Sequence, residues 1–330
     1  MPPMPHEYLQ PRFGSVALGK PHYESVYLTA TSPDGSAIWI RYTVGKPAGS
    51  EPSGAVWFTR FGPDGVRAAK GTTTEVRSTA DHVVDAGGLG SIDRRGARGA
   101  LTVDGMAVSW ELTFDPEAAP MSHLRRPWMY RSPIPKTKST SPYPDMRVSG
   151  TVVIDGVSVP VDSWRGMLGH NWGSEHALRW VWLRGAGFAE DPAAWLDVVI
   201  GRIKVGPVTL PWFANGIAYL GNKRHRLGGA YRLPSVDETA GGATIELRSP
   251  KYRVTVAVDA PLSRSVVWEY ASPDGELHQV RNCSTAGLEL TIAQRREPAT
   301  ILRTERGGIY ELGTLEFDPE LPMQPFRDRA

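Results

Sequence analysis

Apolar and polar residues alternate with a period of two along most of this chain. In SAIWIRYTV (36–44), Ile38, Ile40, Tyr42 and Val44 share one face, and Ala37, Trp39, Arg41 and Thr43 share the other. MAVSWELTF (106–114) puts Met106, Val108, Trp110, Leu112 and Phe114 opposite Ala107, Ser109, Glu111 and Thr113. YRVTVAVDA (252–260) repeats the pattern with Tyr252, Val254, Val256 and Val258. Such alternation predicts half-buried antiparallel strands. Turn residues punctuate the runs: Pro-Asp-Gly at 33–35, 63–65 and 273–275, and Asp-Gly at 104–105 and 155–156. Asp-Gly between alternating runs signals a hairpin, so TVVIDGVSVPVD (151–162) and VVWEYASPDGELHQVRN (266–282) are predicted hairpins. No segment has the periodicity of a long amphipathic helix, and 28 prolines and 35 glycines punctuate the chain. The predicted class is all-β.

The chain has 330 residues, enough for about two domains at roughly 150 residues each. HLRRPWMYRSPIPKTKSTSPYPD (123–145) interrupts the alternation with five prolines. It reads as a long surface connection or as an ordered strap between two parts. Strands resume near 147, and a boundary near 165 divides the chain into 1–165 and 166–330. Halves of that size, each with about eight short strands, suit two small antiparallel barrels joined by the proline-rich connection and an aromatic junction. A barrel of that size holds one small apolar ligand.

Charge narrows the partners. With 37 basic and 35 acidic residues the formal net charge is +2, which offers no general attraction to nucleic acid or anionic membranes. Basic runs such as Arg94-Arg95 stay short. The single cysteine, Cys283, permits no internal disulfide and reads as a small buried hydrophobe. The opening MPPMPHEYLQ has no signal-peptide pattern, and no stretch approaches the roughly 18 apolar residues of a membrane helix. The expectation is a cytoplasmic protein without an integral membrane segment; the composition leaves the oligomeric state open.

The densest chemistry lies in WRGMLGHNWGSEHALRWVWLRG (164–185), with four tryptophans, two histidines, a glutamate and an asparagine. Within it, Gly169-His170-Asn171-Trp172-Gly173 is followed by a strand carrying Trp180 and Trp182. This pattern resembles the signature of the AttH-like and carotenoid-hydratase (hydroxyneurosporene synthase) superfamily, usually Asp-His-Asn-Trp-Gly. HYESVYL (22–28) ahead of SAIWIRYTV is similar to the opening of that family. The resemblance implies a double lipocalin-like barrel acting without a cofactor on an apolar, unsaturated molecule. Members include polyene hydratases and natural-product pericyclases, with tocopherol cyclase as a more distant relative. One departure matters: Gly169 stands where the family has aspartate. If that aspartate protonates an alkene, this chain needs another acid.

Protonating an alkene or stabilising an enol requires an acid kept neutral near pH 7, and burial among aromatics favours the neutral form. The candidates are Glu175 beside the tryptophans, Glu24 in HYES, and Asp197 on a strand face with Trp195 and Val199. Each is equally readable as a solvated or arginine-paired carboxylate. His170 and Asn171 are candidates to polarise a carbonyl, or else they serve the backbone at the junction. Trp172, Trp180, Trp182, Trp39, Trp57 and Asp197 are the candidate pocket wall. His170 and His176 lie on one face at strand spacing, but no third ligand completes a metal site, so none is expected. No Gly-x-Ser-x-Gly elbow or phosphate-binding loop occurs. Two functions fit: a cofactor-free cyclase, isomerase or hydratase, and a carrier or sensor of a lipophilic molecule. A further arrangement makes the junction purely structural and puts the pocket inside the first barrel around Glu24, Trp39 and Trp57.

Overall fold

The computed structural model describes residues 5–79, 82–103, 105–229, 231–294 and 296–326. Asp104 of the predicted 104–105 turn lies outside the described residues, as do the first four residues. Two large antiparallel sheets carry most of the regular secondary structure among the described residues. The first contains β1 (His22–Thr31), β2 (Ala37–Lys46), β3 (Ser53–Gly62), β4 (Gly65–Thr73), β5 (Val84–Asp85), β6 (Gly90–Ile92), β7 (Gly96–Val103), β8 (Met106–Pro116), β9 (Met121–Ser122), β10 (Thr137–Ile154) and β11 (Val157–Gly173). A second sheet takes β12 (Arg179–Ala186) and β13 (Trp195–Arg202); β14 (Lys204–Val205) and β15 (Val208–Thr209) form a separate ribbon. It continues with β16 (Phe213–Leu220), β17 (Lys223–Gly228), β18 (Ser235–Thr239), β19 (Gly242–Arg248), β20 (Tyr252–Asp259), β21 (Val266–Ala271), β22 (Leu277–Gln294) and β23 (Thr300–Thr314).

The expectation of two closed lipocalin-like barrels is corrected here. Strand order in the first sheet is β4-β3-β2-β1-β11-β10-β8-β7-β6-β5, a path with two ends that do not pair. The first sheet curls into a half-barrel, with the added Cβ of a substituted Gly71 in β4 meeting Leu101 of β7 and Leu89. In the second sheet, order β17-β16-β13-β12-β23-β22-β20-β19-β18, the ends likewise do not pair. Alternation reports which face is buried. Closure depends on a register and shear between first and last strands that no single strand encodes.

Both predicted hairpins form. Ile154 pairs with Val157 across Asp155 (φ 50°) and Gly156 (φ 80°), the left-handed pair that a two-residue hairpin turn requires. Ala271 pairs with Leu277 in the other. Strand β8 is half-buried as its pattern predicts, whereas β2 is buried on both faces. Ile38, Ile40, Tyr42 and Val44 enter the core of the first sheet. Ala37 and Trp39 instead pack in a third apolar layer that joins the sheets, with Trp57, Met167, Trp182 and Trp268. Trp57 meets Trp268 edge to face at 4.9 Å between ring centroids, and Tyr27 meets Trp182 in the same way at 4.9 Å. Much of the tryptophan surplus is therefore inter-sheet packing.

The proline-rich segment is an ordered strap only as far as Lys136, because β10 starts at Thr137. Side chains tie it to both sheets. Tyr130 Oη donates to the Ser139 carbonyl at 2.7 Å, and Arg226 of β17 donates to the carbonyls of Ser122 (2.6 Å) and His123 (2.5 Å).

Candidate functional site

A cavity of about 590 Å³ lies between the sheets, under the strap. It is not inside the first barrel-like half. β1 and β2 supply Tyr23, Tyr27, Trp39 and Arg41; β12 supplies Trp180 and Trp182; the strap contributes His123, Leu124 and Trp128. Asn171 and His176 come from the junction segment, and Tyr270 and Glu311 from the second sheet. A smaller cavity of about 300 Å³ adjoins it, and Tyr23, Arg41 and His176 border both.

Strand alternation explains which junction residues reach the cavity. Consecutive side chains on a strand point to opposite faces. β11 sends Met167, Gly169 and Asn171 toward the inter-sheet layer, and Leu168, His170 and Trp172 the other way. His170 and Asn171, neighbours in sequence, are thereby separated. The cavity lining takes in Asn171, Trp180, Trp182 and Trp39. Glu24, His170, Trp172, Glu175, Trp57 and Asp197 lie outside it.

Glu24 and His170 instead form a buried anchor for the N-terminal segment. Glu24 accepts from Arg12 N–H (2.9 Å), Phe13 N–H (2.8 Å) and His170 Nε2 (2.8 Å). His170 Nδ1 lies 2.8 Å from the Tyr8 carbonyl. Burial on its own pushes the Glu24 carboxyl up. The hydrogen bond and charge of His170, the nearby His22 (Nε2 at 3.8 Å) and the Arg12 amide outweigh it and hold the group at about 2. Glu24 is therefore an ionised carboxylate. Trp172 packs against His170 with tilted rings, 4.7 Å between centroids, and lies under the Arg12 guanidinium at 4.9 Å.

Asp197 is also ionised, behind the wall rather than in it. It accepts from Trp182 Nε1 (3.0 Å) and Ser141 Oγ, and His123 Nε2 stands 3.4 Å away at ion-pair distance. Burial raises its carboxyl, but the neighbouring His123 and the hydrogen bonds of Ser141 and Trp182 bring it below the ordinary value. Glu175 pairs with Lys136 while Thr137 Oγ1 holds its backbone carbonyl at 2.7 Å. Trp57 donates to Thr43 Oγ1 at 3.1 Å. None of the three predicted carboxyls is thus a neutral acid facing the cavity.

What faces it is different chemistry. His176 is held well below the usual histidine range by burial, then by the nearby charges of His278 and Arg41, so its imidazole is neutral. Strand β11 ends at Gly173, so His176 sits in a loop and shares no strand face with His170. It packs on Tyr23 at 4.1 Å and Trp180 at 5.6 Å. Tyr27 is pushed well above the ordinary phenol value by burial and by Asp197 and Glu311, which keeps its hydroxyl a donor. Trp39 Nε1 and Asn171 Oδ1 are enclosed without a hydrogen-bond partner among the described residues. Glu311, by contrast, is engaged by Trp180 Nε1 (3.1 Å) and Asn282 Nδ2 (3.0 Å). Among the described residues no group of three or more His, Cys, Asp or Glu is placed to hold a metal ion.

The glycine that departs from the usual motif has a steric reason. A Cβ on Gly169 would lie 2.3 Å from Tyr27 Cζ and 2.5 Å from its hydroxyl oxygen. The Tyr27 ring fills the space that a side chain at 169 would need. Sequence reasoning passed over Tyr27, Arg41 and His123. The odd-numbered face of 37–43 was the available signal, because a tryptophan and an arginine share it.

No family model matches the chain. It is 26% identical over 284 residues to the uncharacterized protein Rv0493c of Mycobacterium tuberculosis, covering 82% of this chain and 80% of that one. Among solved structures it is similar to an AttH-like protein from Nitrosomonas europaea (TM-score 0.53, 12% identity, 89% of this chain and 92% of that one). Kievitone hydratase from Nectria haematococca matches with TM-score 0.52 and 9% identity, over 95% of this chain and 94% of the hydratase. CghA, crystallised with Sch210972, matches with TM-score 0.53 and 11% identity, over 89% and 88%. At these identities the likeness is one of fold. The chain thus shares the fold of an AttH-like protein, as its junction motif suggested. No helix among the described residues is long and apolar enough to cross a membrane.

Proposed function

We propose that this protein encloses a hydrophobic, unsaturated small molecule between its sheets and catalyses its cofactor-free cyclisation, isomerisation or hydration. The observation that carries the reading is the 590 Å³ cavity, walled by Trp39, Trp180 and Trp182 and bearing a few unsatisfied polar groups. A large apolar pocket with sparse convergent polar groups is the usual form of a small-molecule site. Kievitone hydratase has the same fold.

Each group has a role in this reading. The tryptophans hold the substrate folded, which converts part of the entropic barrier into binding. The neutral Tyr27 hydroxyl donates to a substrate carbonyl as charge builds on it, and Asn171 Oδ1 accepts from a substrate hydroxyl or enol. His176, neutral and without a hydrogen bond to either ring nitrogen among the described residues, takes a proton from one atom and returns it to another, or directs a water. Asp197 is a positioning residue that fixes Trp182 and His123. Glu24, His170 and Trp172 maintain the scaffold.

The test begins with solvent extraction of protein purified from its producer, followed by mass spectrometry. The extract is expected to contain a polyene or polyketide-like molecule together with an isomer of identical mass or a product heavier by one water. The recovered molecule is then offered to purified protein. His176→Ala and Asn171→Ala are each expected to lower turnover by about 10²-fold while binding changes by less than about threefold. A molecule that binds and is returned unchanged would make the protein a carrier instead.

A further inference from the structure

The Arg41 guanidinium borders both cavities. Its residue is 6% exposed. Nε donates to the neutral Ser25 hydroxyl at 2.8 Å, and this is the guanidinium's one hydrogen bond among the described residues. Nη1 is enclosed with no acceptor. No carboxylate among the described residues lies within salt-bridge distance. The charge rests on aromatic faces, 4.0 Å above the Tyr270 ring and 5.3 Å from that of Trp57. Such contacts offset only part of the cost of a desolvated cation. An arginine has five N–H donors in a fork matched to a carboxylate or enolate, and here one is used.

The surroundings separate an apolar end from a charged end. The large cavity is predominantly apolar, with its tryptophans and strap residues on one side. The smaller cavity beyond Arg41 is lined by Thr43, Ser53, Thr72 and Thr73, and by a second cation, Lys46. Its carboxylate, Glu24, is already engaged by Arg12, Phe13 and His170. Glu311, on the large cavity, is likewise engaged.

We infer that the ligand is an amphiphilic acid, with an apolar unsaturated body in the large cavity and a carboxylate or acidic enol anchored on Arg41 at the junction with the smaller one. This rests on the function proposed above and adds the substrate class. It also orients the molecule: the acidic head lies beside His176 and Tyr23, which border the same junction.

The experiment compares cis-parinaric acid, a fluorescent polyene acid, with its methyl ester by direct titration of the full chain at neutral pH. The acid is expected to bind about tenfold more tightly or better, since a charge-assisted fork is lost in the ester. Arg41→Gln is expected to remove the preference and leave ester affinity within about twofold. Arg41→Lys is expected to retain part of it, because the charge stays but the fork is lost. Equal binding of acid and ester to the unmodified protein overturns the inference and leaves the hydrophobic-ligand reading standing. Binding of neither probe overturns both. The comparison on unmodified protein decides the matter even if the Arg41 variants do not fold.

Discussion

Replacing Glu24 with glutamine is expected to cost about 3 kcal/mol of folding stability at neutral pH. The estimate follows from the carboxyl's fall from 4.5 to about 2 on folding, at about 1.4 kcal/mol per unit. The residue is fully buried, so little of this is screened by solvent. A carboxyl with a depressed folded value contributes its full share above the unfolded value. It loses that share as pH falls from about 4.5 toward 2, because the unfolded chain binds the proton first. Urea titrations of the two proteins between pH 7 and pH 2 check this. The stability gap is expected to narrow by about 3 kcal/mol over the acid limb. A gap that stays constant across that range would show that the Glu24–His170 pair carries no such linkage. The anchor also holds Arg12 and Phe13, so the N-terminal segment is expected to gain amide exchange in Glu24→Gln.

The second large effect is expected at Gly169. Gly169→Asp would restore the residue that the resembling family carries, yet it is expected to destabilise this protein by about 3 kcal/mol. The new Cβ would overlap the Tyr27 ring, which is itself packed edge to face on Trp182. The ring has little room to retreat. Adding Tyr27→Ala is expected to recover part of the loss, giving a coupling well above the few tenths of a kcal/mol seen for independent sites. If Gly169→Asp melts with the unmodified protein, Tyr27 is not what excludes a side chain there. A phenol thus occupies the space that a carboxyl at 169 would need.

Several features were legible from residue order alone. The alternation in 36–44 and 106–114 identifies strands because a strand's side-chain period is local geometry. Asp155-Gly156 marks a hairpin because the turn needs left-handed backbone, which glycine adopts freely and aspartate tolerates. The junction motif pointed to the AttH-like fold; of the wall residues expected within it, Trp180 and Trp182 border the cavity and Trp172 does not.

The site's chemistry was less legible. Glu24 looked like an acid because HYES is aromatic-rich, but the amides that ionise it come from residues 12 and 13 and the imidazole from 170. Asp197 looked ambiguous on its strand, and only the approach of His123 and Ser141 from the strap and β10 settles its state. A pKa depends on what surrounds a group, and these surroundings are assembled from distant segments.

By itself the sequence determined the all-β class, the strand faces and the hairpin turns. Each depends on interactions among residues a few positions apart. Tertiary structure decided that the sheets stay open, that the cavity lies between them, and that His170 and Asn171 point to opposite faces of one strand. It also left Arg41 buried with no carboxylate among the described residues within salt-bridge distance. Those outcomes depend on which face of one sheet meets the other, a contact between residues far apart in the chain that no local pattern records.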